Sequence, residues 1–183
     1  MGGRGDRGEL EWYENPGTAE GDWPAHPIVT LDGVDWLDRV RLSDLSCDGR
    51  LDLIVSEENG SSRGAETYWV EQPEDLSRDP WRPHLLTSQG STNSLDVVDI
   101  DRDGDADIVT GEHKGKLRVI VWENVRCGVF QPRPIDHGKE SHLGTKANDL
   151  DRDGDLDLFS VAWDEPASIY LWRNDSVARR PPR

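Results

Sequence analysis

Two stretches of this chain set four carboxylates at spacings of two, two and four around a glycine. The first is Asp99-Ile-Asp101-Arg-Asp103-Gly104-Asp105-Ala-Asp107 and the second is Asp149-Leu-Asp151-Arg-Asp153-Gly154-Asp155-Leu-Asp157. Carboxylates this close repel one another and oppose folding unless a cation lies among them. Oxygen ligands at alternate positions, with a glycine at position 6 for a sharp turn, suit a hard divalent ion such as Ca²⁺. A weaker copy, Asp44-Leu-Ser46-Cys47-Asp48-Gly49-Arg50-Leu-Asp52, precedes both. Ser46 replaces a carboxylate there and Arg50 adds positive charge, so a plain turn competes with a third calcium loop. An EF-hand is excluded, because position 12 is Thr110 or Ser160 where a bidentate Glu is needed, and the flanks are β-rich. Four carboxylates and a carbonyl nearly fill a coordination sphere, whereas catalytic metals keep open positions. The expected role of the ions is therefore structural.

The loops belong to a longer repeat. Their first Asp residues stand 55 and 50 residues apart. After each loop comes a second landmark: Trp69-Val-Glu-Gln72, Trp122-Glu-Asn124, then Trp172-Arg-Asn174. An orphan copy, Trp12-Tyr-Glu-Asn15-Pro, opens the chain. A third landmark places an aromatic ahead of a basic and an aliphatic residue: Trp23…His26-Pro-Ile28, Trp81…His84-Leu-Leu86 and, more loosely, Phe130…Arg133-Pro-Ile135. The segments between are short β-branched or apolar runs bounded by Gly, Asp and Asn, such as Leu117 to Trp122. Such runs predict an all-β chain. About four strands per unit of this length predict the blades of a β-propeller.

These motifs resemble the tandem FG-GAP/VCBS-type calcium β-propeller repeats of integrin α-subunit heads and many exported bacterial proteins. The likeness spans roughly residues 9 to 175. It implies one Ca²⁺ per Asp loop, between the first two strands of a blade. The implied side-chain ligands are Asp99, Asp101, Asp103 and Asp107, then Asp149, Asp151, Asp153 and Asp157. Asp105 and Asp155 would offer carbonyls, and Asp44, Ser46, Asp48 and Asp52 would form the weaker third site. The expected organisation is a disordered tail over 1–8, a partial blade over 9–30, blades over 33–87, 92–137 and 141–175, and a second disordered tail over 176–183. The last blade lacks its final strand. A closed propeller usually needs at least about four blades, so the chain reads as the C-terminal part of a longer protein with open sheet edges prone to self-association.

The 37 acidic residues against 21 basic ones give a net charge of −16. That sign argues against nucleic acid or an anionic membrane as partner, and no apolar run suits a membrane span. Calcium sites of this kind, and the family resemblance, place the protein outside the cytosol: periplasmic, cell-surface or secreted. Cys47 and Cys127 fall in different units, and two such cysteines do not form a disulfide framework, so they are expected as free thiols. His113 and His142, with Glu112 and Glu140 beside them, are the candidates for acid–base chemistry near the ends of inner strands. Trp12, Trp69, Trp122 and Trp172 recur with the repeat and read as packing residues, while Trp36 and Trp163 do not recur. The resulting expectation is a noncatalytic, calcium-stabilised module presenting a surface to an extracellular protein or polysaccharide. The alternatives are a piece of a carbohydrate-active propeller enzyme (polysaccharide lyase or sugar dehydratase type) and a structural spacer.

Overall fold

The computed structural model describes residues 7–18, 20–59, 64–139, 141, 144–164 and 168–176. All regular structure among them is β-strand. The strands are short because Gly, Asp and Asn end each apolar run. In chain order they are β1 (Arg7–Tyr13), β2 (Ala25–Asp32), β3 (Leu37–Ser43), β4 (Asp52–Glu57), β5 (Ala65–Glu71) and β6 (Arg82–Gln89). There follow β7 (Ser94–Val98), β8 (Asp107–Gly111), β9 (Val119–Arg126), β10 (Val129–Asp136), β11 (Lys146–Asn148), β12 (Asp157–Val161) and β13 (Ile169–Trp172). The chain is thus all-β, as its residue pattern predicts. The first strand begins inside the stretch expected as a tail: Gly8 is buried and Arg7 Nε donates to Asp32 Oδ1 at 3.0 Å.

Four antiparallel sheets form, each from strands consecutive in sequence: β1–β2, β3–β6, β7–β10 and β11–β13. They do not close on one another. Neighbouring innermost strands touch, β3 with β7 and β7 with β11. Asp96 of β7 stands at their meeting point. It accepts from Lys146 Nζ at 2.9 Å and lies 3.5 Å from Arg41 Nε, so one carboxylate links three sheets.

The core lies between successive sheets rather than within any of them. Because side chains alternate along a strand, each sheet has one face toward the sheet before it and one toward the sheet after it. Ile54 and Trp69 point forward and meet Leu95, Ile108, Ile120 and Trp122 of the next sheet. Val109, Val119 and Val121 point forward from that sheet onto Leu158, Ala147 and Trp172. At the other end, Ile28 and Leu31 pack on Leu53, Val55 and Val70, with Trp12 at the margin.

The strand register corrects one reading of the repeat. Trp69 pairs across the sheet with Ile54 and Trp122 with Ile108. In the outer hairpins, His84 faces Trp69, whereas Arg133 faces Val121. Trp69 therefore matches Val121, and Trp122 matches Val70. The two tryptophan pairs are one residue out of step, and a one-residue slip moves a side chain to the opposite face. Trp12 and Trp69 point to the following sheet, Trp122 and Trp172 to the preceding one. All four still pack between sheets.

The cysteines also depart from expectation. Cys47 and Cys127 form a disulfide, with Cα atoms 5.2 Å apart at a sequence separation of 80. Sequence separation concealed their adjacency. Cys47 is in the loop between β3 and β4, and Cys127 in the turn between β9 and β10, and these abut where two sheets meet. Asn124 reinforces the junction, donating from Nδ2 to Leu45 O at 3.1 Å while its Oδ1 accepts from Gly128 N at 2.9 Å.

Candidate metal centre

Each Asp loop connects the first two strands of a sheet: residues 44–52 join β3 to β4, 99–107 join β7 to β8, and 149–157 join β11 to β12. All three share one backbone form. Position 4 is left-handed, with φ of 59° at Cys47, 66° at Arg102 and 61° at Arg152. The glycine at position 6 is too, at 84°, 99° and 104°. Only glycine takes such angles without strain, which is why it is fixed in the motif.

Within the second loop, oxygens of Asp99, Asp101 and Asp107 all lie within 4.8 Å of one another, and in the third loop Asp149, Asp151 and Asp157 do the same. Asp103 and Asp153 stand outside these groups, and each accepts from the amide of the residue two ahead, at 2.9 and 3.2 Å. The structure thus brings together three of the four expected side-chain ligands in each loop. The Asp105 side chain turns away from its loop, toward Cys47 Sγ at 3.6 Å.

Position 9 has a function that the motif alone does not reveal. Asp107 Oδ2 accepts from Ile100 N at 2.9 Å and Oδ1 from Asn124 N at 2.8 Å. Asp157 does likewise with Leu150 N and Asn174 N, both at 2.9 Å. Asp52 accepts from Leu45 N, Ser46 N and Gln72 N at 2.9 to 3.0 Å. This carboxylate fastens the entry of its own loop to the end of the sheet's third strand. The recurrence of Gln72, Asn124 and Asn174 at a fixed distance beyond it was the available signal.

Burial and mutual repulsion act together on the carboxylates of the second loop. Burial pushes the Asp107 carboxyl up to about 6, with Asp101 and Asp103 adding to the rise, and burial also raises Asp101. Asp153 is raised by its hydrogen bond to Asp155. Two buried oxygens, Asp99 Oδ1 and Asp149 Oδ1, have no hydrogen-bond partner. A desolvated carboxylate oxygen without a donor is costly, and a hard cation beside it removes the cost. The residues of the second and third loops therefore fit a bound Ca²⁺.

The first loop differs. Both oxygens of Asp44 are used, by Asp48 N at 3.1 Å and Gly49 N at 2.9 Å. The Arg50 guanidinium pairs with Asp48, and its Nε donates to Gln72 O at 3.1 Å. The protein supplies its own cation here, and Asp44, Ser46, Asp48 and Asp52 form no convergent carboxylate group among the described residues.

The acid–base candidates separate. Glu112 is fully buried and saturated: Oε1 accepts from Gly90 N at 2.9 Å and Arg118 Nη2 at 2.6 Å, and Oε2 from Arg118 N at 2.8 Å and Nε at 3.0 Å. Glu57, its counterpart one sheet earlier, accepts from Asp35 N and Glu66 N, both at 3.1 Å. Glu112 accordingly clamps the backbone at Gly90 and Arg118. His113 is buried, and its main-chain N donates to Ser91 Oγ at 2.9 Å. His142 and Glu140 lie outside the described residues. Elsewhere, histidine–carboxylate pairs follow the repeat. His26 stacks on Trp12 and meets Glu14 at 3.1 Å, and His84 stacks on Trp69 and meets Glu71 at 3.1 Å. Arg133 with Glu123, at 2.6 Å, takes that place in the third sheet. These trios brace outer hairpins. Trp36 and Trp163 are 63% and 61% exposed, at strand ends opposite the Asp loops. No known protein-family model matches this chain, and no curated protein matches it significantly.

Proposed function

We propose that the chain is a calcium-stabilised, noncatalytic β-propeller module of FG-GAP/VCBS type that presents a binding surface outside the cell. The observation carrying this reading is the pair of three-carboxylate groups, Asp99/Asp101/Asp107 and Asp149/Asp151/Asp157, each at a strand-to-strand loop with a buried oxygen left without a donor. Ca²⁺ in each would neutralise charge that otherwise opposes folding, and would pin the first two strands of its sheet. Contacts between the first strands of neighbouring sheets, sheets of consecutive strands (two of the four being four-stranded) and inter-sheet cores support the propeller reading. The disulfide supports an oxidising compartment. At the ends of the sheets away from the loops, the exposed rings of Trp36 and Trp163 suit stacking on a polysaccharide or on an extracellular protein. The saturated state of Glu112 weighs against the enzyme alternatives.

The test is thermal unfolding in Ca²⁺ and in excess chelator. The melting temperature falls by about 10 °C or more on chelation, as expected when binding free energy is folding free energy. An unmoved transition overturns the reading.

A further inference from the structure

The cysteine pair has a third neighbour. Asp105, at position 7 of the second Asp loop, places Oδ1 3.6 Å from Cys47 Sγ. A disulfide sulfur has no proton, so this contact is a hydrogen bond only when Cys47 is a thiol. One ligand atom each from Cys47, Asp105 and Cys127 lie within 4.8 Å of one another. Two sulfurs and a carboxylate oxygen around one point suit a borderline-soft divalent ion once the sulfurs are thiolates. Zn²⁺ binds thiolate at about 2.3 Å and carboxylate at about 2.1 Å, which sets a tetrahedral S···O edge of about 3.6 Å. The Cys47–Asp105 spacing matches that edge. We propose that, when the disulfide is reduced, Cys47, Cys127 and Asp105 bind one Zn²⁺ whose fourth position is open to water.

Loop geometry explains why these residues meet. Position 4 of an Asp loop faces the loop that follows: the Arg102 guanidinium lies 3.3 Å from where a Cβ on Gly154 would stand. Cys47 holds the same position one loop earlier and so meets Asp105. Buried hydrogen bonds keep the three segments together without the covalent bond. Asn124 is fully buried and ties all of them. Its Nδ2 donates to Leu45 O at 3.1 Å, two residues before Cys47. Its Oδ1 accepts from Gly128 N at 2.9 Å, one residue after Cys127. Its main-chain N donates to Asp107 Oδ1 at 2.8 Å, two residues after Asp105. None of these bonds involves sulfur, so the ligand frame survives reduction.

Reduction by a dithiol passes two electrons and two protons into the S–S bond, giving two thiols and leaving the reductant as its own disulfide. Zn²⁺ takes both sulfurs as thiolates, and their two protons go to solvent. The sulfurs then part to about 3.8 Å, the tetrahedral S···S edge, by rotation of the two side chains. Cys47 and Cys127 are exposed and Asp105 is half-buried, which gives the ion a path in. Ca²⁺ does not compete, because it takes oxygen ligands. In the oxidised chain the sulfurs are joined and the site is closed.

Co²⁺ is the probe, since it replaces Zn²⁺ in tetrahedral sites and shows a near-ultraviolet charge-transfer band only with thiolate ligands. The full chain in excess Ca²⁺ is reduced with a water-soluble phosphine, which ends as its oxide with oxygen from water, and titrated with Co²⁺ without air. The expected result is a band that saturates at one ion per chain and is displaced by Zn²⁺, with an unchanged far-UV spectrum. The oxidised chain and the double variant Cys47→Ala, Cys127→Ala show no band. Asp105→Asn keeps the band but weakens binding about tenfold or more, at least the loss that follows removal of an outer-shell partner. Absence of the band from the reduced chain overturns the proposal, as does loss of the β spectrum on reduction. Unchanged affinity in Asp105→Asn, or one ion shared by two chains, overturns it too. The band reports thiolate alone, so the result is independent of calcium at the Asp loops.

Discussion

Trp69 and Trp122 enter the same core from opposite sheets, although both open the same sequence landmark. Trp69 points forward from β5 and Trp122 points back from β9, where Nε1 donates to Thr110 Oγ1 at 2.9 Å. Gly128 sits against the Trp69 ring, 3.0 Å from where a Cβ would stand, at a φ of 84°. Replacing either ring with alanine opens a cavity at that junction. Trp69→Ala and Trp122→Ala are each expected to cost about 3 to 5 kcal/mol, measured by denaturant unfolding. Gly128→Ala is expected to destabilise as well, since it forces a methyl into the ring and strains the turn.

The all-β class was legible because strand-length apolar runs and turn residues repeat at a fixed interval. A gathering of carboxylates at the second and third loops was legible in the Asp spacing, but not that Asp103 and Asp153 would stand outside it. Facing directions were not legible: Trp at three positions before Gln72 and at two positions before Asn124 look alike in a motif but sit on opposite faces. Nor was the disulfide, since Cys47 and Cys127 become neighbours only when successive sheets stack. Glu112 looked like a partner for His113 because they are adjacent in sequence. Its real partners, Gly90 and Arg118, come from the approach to β7 and the start of β9.

On the proposed reading, two of the three Asp loops hold an ion and the first does not. Calorimetric titration with Ca²⁺ is expected to show two sites per chain. Asp99→Ala and Asp149→Ala each remove one site, because each deletes a carboxylate whose buried oxygen lacks a donor. Asp44→Ala leaves the stoichiometry at two, because its oxygens serve loop amides and Arg50 supplies the positive charge.

Clamp and ligand carboxylates are distinguishable by their calcium dependence. Asp52 is fully buried and accepts three amides. In Asp52→Asn an amide group replaces one acceptor oxygen and faces N–H donors, at a cost of about 2 to 4 kcal/mol in Ca²⁺ and in chelator alike. Asp101→Ala, at an exposed position of the proposed calcium site, is expected to matter in Ca²⁺ and hardly at all in chelator. Thermal melts of both variants under both conditions check this.

The disulfide closes a loop of 80 residues between consecutive sheets. On the chain-entropy account a loop of that length contributes about 4 kcal/mol by restricting the unfolded state. The Cys47→Ala, Cys127→Ala protein is expected to melt roughly 8 to 15 °C lower than the oxidised chain while keeping its far-UV spectrum. Both cysteines are exposed, so a dithiol reductant should lower the native melting temperature to the same value without prior unfolding.

Acid stability should depend on Glu112. Burial alone would push its carboxyl up, but the Arg118 guanidinium and the Gly90 and Arg118 amides more than reverse that and hold it below the usual glutamate range. A depressed folded-state pKa gives stability that is fully present above the unfolded value, about 4.3, and is lost as pH falls through the folded one. Unfolding free energy measured from pH 6 down to pH 3 should therefore decline below about 4.3. In Glu112→Gln the stability at pH 6 is lower, because a neutral amide stands beside the buried Arg118 contact with one acceptor fewer, and this share of the acid decline is gone. Parallel pH profiles for the two proteins would show that the carboxylate contributes nothing through its charge.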